Sequence, residues 1–146
     1  MTGLLLDTNV VSELRKPTQR INPNVRAWAA GIDSDSVFLS VITISELSHW
    51  VASVRRKDPV QGSLLEGWLH DDLLAEYATR IIPIDVEVAM IAGPLHVPDP
   101  RDYRDAFIAA CALRHQLTVV TRNVHDFAPM GVRLVNPFDF RIPSTA

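Results

Sequence analysis

Short apolar runs of β-forming residues alternate along this chain with longer segments of helical periodicity. That alternation predicts an α/β fold, a doubly wound, mainly parallel sheet flanked by helices. Three segments carry the prediction. Leu4-Leu5-Leu6 ends on the polar turn Asp7-Thr8-Asn9. Val37 to Val41 runs straight into a helical pattern. Leu117 to Thr121 is the clearest strand, followed by Arg122-Asn123. A chain of 146 residues that is 47% hydrophobic and 21% charged has the length of one domain and enough apolar surface for a core, which excludes a disordered polymer. We place a single domain at residues 1–140 and a short tail at 141–146.

After the first strand, Val10, Val11 and Leu14 follow at helical spacing until Lys16-Pro17 stops them. Asn22-Pro23 opens a second helix, asparagine as cap and proline in the first turn, with Gly31 to close it. Beyond the second strand, Thr43 is expected to begin a helix with Ile44, Leu47, Val51 and Val54 on one face. Thr43-Ile44-Ser45-Glu46 has the form of a capping box. Arg55-Arg56-Lys57 ends this helix, where cations complement the dipole. Gly62 to Tyr77 reads as a fourth helix with Leu64, Leu65, Trp68 and Leu69 as its stripe. Ile81 to Ile84 is a short strand that Pro83 confines to a sheet edge. Asp85 caps Val86 to Leu95, a proline-rich bend spans Val97 to Pro100, and another helix runs from Tyr103 to His115. The last strand, Arg133 to Val135, ends at Asn136-Pro137.

Several function classes are excluded. The longest unbroken apolar run, Ala106 to Leu113, is eight residues, against roughly 20 for a membrane span. Met-Thr-Gly-Leu-Leu-Leu-Asp does not have the form of a signal peptide. A single cysteine, Cys111, allows no internal disulfide and points to the cytoplasm. The net charge of −3 means that any grip on nucleic acid comes from local patches. The chain has no Gly-rich phosphate loop, Gly-x-Ser-x-Gly or His-Glu-x-x-His. Cys111 and His115 share a helix face, but two ligands make no zinc site.

Ligands of such a sheet bind beyond the carboxyl ends of its strands. Asp7 stands at the end of the first strand, and Glu46 in the expected first turn after the second. Asp105 begins the helix before the Thr118–Thr121 strand, and Asp126 follows that strand. Four carboxylates from four segments therefore reach one edge. Their mutual repulsion is tolerable around a divalent cation. Oxygen ligands without Cys or His favour Mg²⁺ or Mn²⁺, which suits hydrolysis of a phosphodiester by metal-activated water. Each acid also has a structural reading: Asp7 as a helix cap, Glu46 in its capping box, Asp102 and Asp105 beside a helix dipole, and Asp126 capping a turn before Pro129.

Four blocks, Leu4 to Leu14, Ser45-Glu46-Leu47, Asp105 to Ala110, and Thr121-Arg122-Asn123 through Asp126-Phe127, resemble the signature blocks of PIN-domain ribonucleases. They resemble most the VapC-type toxins of toxin–antitoxin pairs, in the FitB-like branch, and the likeness spans Leu4 to about Phe138. The resemblance implies a PIN-like fold and Mg²⁺- or Mn²⁺-dependent endoribonuclease activity leaving a 5′-phosphate. It implies metal-site roles for Asp7, Glu46, Asp105 and Asp126, with support from Thr8 and Asn123. It also implies a homodimer neutralised by a VapB-like antitoxin that inserts a C-terminal segment near the acids. Cys111 departs from the small hydroxyl residue common at its position, and Asp102 competes with Asp105 for the place facing the metal.

Arg101, Arg104 and Arg122 flank the acids and are candidates to hold an RNA backbone that the carboxylates repel. Arg55-Arg56-Lys57 is a weaker candidate. His49 reads as a surface histidine, while Trp50, Trp68 and Leu69 suit either core or an interface. Two rival readings stand. An aspartyl-phosphate enzyme of the haloacid-dehalogenase type wants a second Asp two residues after Asp7, where Asn9 stands, and the chain's two lysines, Lys16 and Lys57, lie badly for it. A catalytically inactive PIN-like module would bind RNA or protein with salt dependence and ignore chelators.

Overall fold

The computed structural model describes residues 3–144. Its strands are β1 (Leu4–Leu6), β2 (Val37–Ser40), β3 (Ile81–Ile82), β4 (Thr118–Val120) and β5 (Leu134–Val135). They form one sheet in the order β3-β2-β1-β4-β5 with every pairing parallel, so the expected "mainly parallel" sheet is wholly so. β1 sits at the centre: Leu4, Leu5 and Leu6 lie opposite Thr118, Val119 and Val120 on one side, and Leu4 and Leu5 opposite Val37 and Phe38 on the other. β3 is an edge strand, as Pro83 required.

Helices α1 (Thr8–Leu14), α2 (Pro23–Ala30), α3 (Val41–Lys57), α4 (Pro59–Gly67), α5 (Leu74–Glu76), α6 (Val86–Ala92), α7 (Tyr103–His115) and α8 (Val124–Phe127) complete the fold. The period-2 alternation of the strands divides the core into two layers. Leu5 and Val119 point into one, packed by Val88 and Ala92 of α6 and the alanine-rich face of α7. Leu6, Leu39 and Val120 point into the other, with Val10, Val11, Trp28, Leu47, Val51 and Leu65. Cys111 is fully buried in the first layer beside the Ser40 hydroxyl, so its departure from the family pattern is a packing matter.

The chain leaves β1 for β2 and β3, then crosses back to place β4 and β5 on the other side. The direction of winding therefore reverses between β1 and β4, and a cleft opens at the carboxyl ends there.

Two helix starts differ from expectation. α3 begins at Val41, directly off the strand, with the buried Ser40 as its cap: the Ser40 hydroxyl accepts the Ile42 N–H at 3.1 Å. Thr43 is thus inside the first turn, no Thr43–Glu46 capping box forms, and Glu46 lies in the second turn. The reason is length: a four-residue strand leaves no loop to hold a later cap. The fourth helical segment starts at Pro59 rather than Gly62, capped by Asp58, whose side chain accepts the Gln61 N–H at 3.1 Å. It continues as a π-helical stretch, Trp68–Leu73, into α5. Leu64, expected on the apolar stripe, is exposed, while Leu65 and Leu69 are buried. Among the described residues no helix is long and apolar enough to cross a membrane.

Candidate active site

Asp7 follows β1 directly, and its backbone N–H still donates to the Val120 carbonyl of β4 at 2.9 Å. Its side chain caps α1, Oδ1 accepting the Thr8 N–H at 2.8 Å. Oδ2 accepts the Thr121 hydroxyl at 2.7 Å and the Asn9 amide at 3.2 Å. Thr121 and Asn9 extend this network across the β1–β4 switch point. The Asn123 N–H donates to Thr121 Oγ1 at 3.0 Å, and the Arg122 N–H to Asn9 Oδ1 at 3.2 Å. One carboxylate is thereby fixed by two strand ends and two turns.

The second acid is tied to the first through Thr8. Its hydroxyl donates to Glu46 Oε1 at 2.8 Å and shares a hydrogen bond with the buried Thr43 hydroxyl at 3.2 Å. The opposite oxygen, Oε2, lies 3.6 Å from Arg104 Nη1.

Asp102 is the cap of α7, and this separates it from Asp105. Its Oδ1 accepts the N–H groups of Arg104 and Asp105, and its Oδ2 pairs with Arg104 Nη2 at 3.1 Å. The Arg104 guanidinium, helped by those N–H donors, holds the Asp102 carboxyl below its ordinary range. Asp105, one turn on, has no side-chain hydrogen bond among the described residues, and its half-buried carboxyl faces the cleft.

These residues line one cleft of about 720 Å³, with Asp7, Glu46, Asp105 and Asp126 all on its wall. Thr8 and Asn123 are there too, as expected. Burial pushes the Asp7 carboxyl upward against its three donors, and the Asp126 charge adds to the rise. Asp105 is pushed up to about 6, first by burial and then by the charges of Asp7, Asp102, Asp126 and Glu46. The cleft thus holds a surplus of negative charge, relieved by a proton or by a cation. Carboxylate oxygens with hydroxyl and amide neighbours suit a hard divalent ion, not zinc. Among the described residues, no three of these side chains are drawn into a ready-made ligand cage.

The arginines divide. Arg101 and Arg104 line the cleft, and Arg101 Nε is buried with no hydrogen-bond partner among the described residues. Arg122 is not among the cleft's lining: its guanidinium carbon lies 4.2 Å from the Phe138 ring centroid, and its charge helps to lower the Glu13 carboxyl. The residue after a strand end points opposite to its neighbour, and the turn gives that place to Asn123. Asn9, Ser12, His125 and Thr121 were missed from sequence, the first three as cleft lining and the last as the support of Asp7. His49 is exposed, and Trp50 and Trp68 are half-buried at the margin of the second core layer.

The raised Asp105 carboxyl has a stability consequence. A carboxyl whose folded value exceeds its unfolded one contributes stability below about pH 4, lost as pH rises through about 6. Without divalent metal, Asp105→Asn should match the wild-type melting temperature near pH 4 and exceed it by about 3 °C near pH 7. Thermal unfolding across that range checks this. A difference that stays constant with pH would contradict the assigned environment.

A PIN-domain family model matches residues 4–130. The chain belongs to the PIN-domain family. Toxin FitB of Neisseria gonorrhoeae is 34% identical to this chain over 145 residues, covering 92% of this chain and 98% of FitB. A VapC ribonuclease of Sinorhizobium fredii, Y4jK, is 28% identical over 141 residues, covering 93% of this chain and 98% of its own. The solved structure of FitAB bound to a DNA fragment superposes at a TM-score of 0.84 with 31% identity, over 95% of this chain and 98% of that one. The PIN-like fold expected from the signature blocks is therefore the fold observed.

Proposed function

We propose that this PIN domain is a Mg²⁺- or Mn²⁺-dependent endoribonuclease, a hydrolase acting as the toxin of a toxin–antitoxin pair. The observation that carries the reading is the convergence of Asp7, Glu46, Asp105 and Asp126, from four segments, on one cleft at the β1–β4 switch point. The relatives named toxin and ribonuclease support it.

In this reading the four carboxylates hold the divalent ion. The ion supplies a polarised water and charge neutralisation at the phosphoryl group. The protein supplies position. Thr121, Asn9 and the Thr8 N–H fix both Asp7 oxygens, and the Thr8 hydroxyl orients Glu46. Asp105 and Asp126, whose carboxylates accept no hydrogen bond among the described residues, would have both oxygens free for the cation. Arg101 and Arg104 hold the RNA backbone at the rim, and Asn123 closes the wall beside Asp126. The partner is a VapB-like antitoxin whose basic segment answers the same acidic surplus, and the toxin works as a homodimer in the cytoplasm.

The absence of a ready-made ligand cage among the described residues favours one rival, an inactive module that binds RNA without cutting it. Cleavage of a mixed RNA pool separates the two. The nuclease reading predicts cleavage with Mn²⁺, none with EDTA, and none with Asp7→Asn purified identically. RNA retention that ignores EDTA, with no cleavage at any metal concentration, would give the inactive module the better claim.

A further inference from the structure

Beside the acidic cleft, past Glu46, lies a second cavity of about 500 Å³ between α1 and α3. The two share Thr8, Asn9, Ser12 and Glu46 as a common wall. The far side of the second cavity carries Glu13, Arg15, Lys16 and Trp50. Its lining holds two acids, Glu13 and Glu46, and two cations, Arg15 and Lys16. Burial pushes the Glu13 carboxyl up, but the Asn22 N–H at 3.0 Å and Lys16 Nζ at 3.0 Å outweigh this and hold it below its usual range. Glu13 and Lys16 answer each other and Glu46 faces Arg104, which leaves Arg15 without an acid among the described residues.

Arg15 is half-buried, its guanidinium carbon 5.3 Å from the Trp50 ring centroid and 6.0 Å from that of Trp68. Its Nε is buried with no hydrogen-bond partner among the described residues, and no acid there pairs with it. A guanidinium held against two indoles has already lost much of its rotamer freedom, so an anion that reaches it meets a fixed donor. The covered Nε is out of an anion's reach, and the donors open to one are the terminal Nη groups, which donate to nothing among the described residues.

We propose that this cavity is a substrate subsite in which Arg15 takes a backbone phosphate of the RNA strand flanking the scissile one, with Trp50 offering a face to the adjoining base. The proposal rests on the reading of the acidic cleft as a nuclease centre. It favours a polynucleotide over an acidic peptide because the two cavities share a wall, and a strand with evenly repeated phosphates spans both.

The test is anisotropy of a short labelled RNA across a salt series, in an Asp7→Asn background that prevents cleavage. Arg15→Gln should weaken binding about tenfold and make the log–log salt slope shallower by about 0.7. Arg15→Lys should restore the slope. A dinucleotide, too short to fill both cavities, should bind equally to all three. Arg15→Met, which retains the stem over the indoles, replaces the glutamine variant if that one does not fold. Unchanged affinity and slope in a folded variant overturn the subsite, and do so whether or not binding of an acidic peptide is lost. Metal-dependent cleavage with Arg15 silent removes the subsite alone. Arg15-dependent binding by a chain that never cleaves RNA leaves an RNA contact at Arg15 but overturns it as a substrate subsite, together with the nuclease reading.

Discussion

Asp7→Asn is expected to lower RNA cleavage by about 10³-fold while leaving the protein folded. The amide keeps an oxygen for the Thr8 N–H, so the α1 cap survives, and the Thr121 hydroxyl can turn to accept where it formerly donated, while the Asn9 amide loses its Asp7 acceptor. What disappears is the charge, in the carboxylate that two strand ends hold most rigidly. Burial already pushes the Asp7 carboxyl upward, so its charged form costs stability in the cleft. The neutral variant should therefore melt no lower than wild type at neutral pH without added metal. Cleavage rate and melting temperature measured on one preparation check both halves. A variant that is inactive only because it is unfolded would not support the assigned role.

Gly62→Ala carries the largest expected stability effect. Gly62 is buried in α4 where that helix turns back along α3. A Cβ there would stand 2.3 Å from Arg55 Cα and 2.7 Å from Arg55 N. These are backbone atoms, so no side-chain rotation relieves the clash and the two helices must separate. Asp58 ends α3 and caps α4 at once, which leaves no loop to absorb the shift. Alanine recovers about 1 kcal/mol of helix propensity, and the net loss should still be about 3 kcal/mol, a fall of about 10 °C in melting temperature. An unchanged melting temperature would mean that the α3–α4 contact is looser than described.

The same glycine shows where sequence reading stops. Gly62 looks like a boundary, and the fourth helix was started there. The stronger signal, Asp58-Pro59, stood just upstream, and the tertiary demand for a missing side chain was invisible. Thr43-Ile44-Ser45-Glu46 has the letters of a capping box, yet β2 delivers Ser40 to the cap position first and sends Thr43 inward to meet Thr8. By contrast, the strand order places Asp7 beside the segment that follows β4; Asp7 was legible because it directly ends an apolar run, and Asp126, inside α8, because it follows the clearest strand. The limits of α7 were legible too, since the proline-rich bend precedes it and the helical pattern runs to His115, its last residue; the caps, Asp102 and Gln116, were not.

What one dimension could not carry was the second partner of each interaction. Thr121 reads as an ordinary strand residue. Only the pairing of β1 with β4 sets its hydroxyl 2.7 Å from Asp7. Asn9 counted merely as the residue that excludes an aspartyl-phosphate enzyme, whereas its amide holds Asp7 and its carbonyl oxygen holds the turn after β4. Arg122 was placed by proximity in sequence, and the direction of its side chain decided otherwise.

The central claim is that Asp7, Glu46, Asp105 and Asp126 together hold a divalent cation. Calorimetric titration of Mn²⁺ into wild type, Asp7→Asn and Asp105→Asn tests it most directly. The account predicts saturable binding to wild type and a loss of at least about tenfold in affinity for each variant. Absence of binding to wild type, or binding that both substitutions leave untouched, would contradict it.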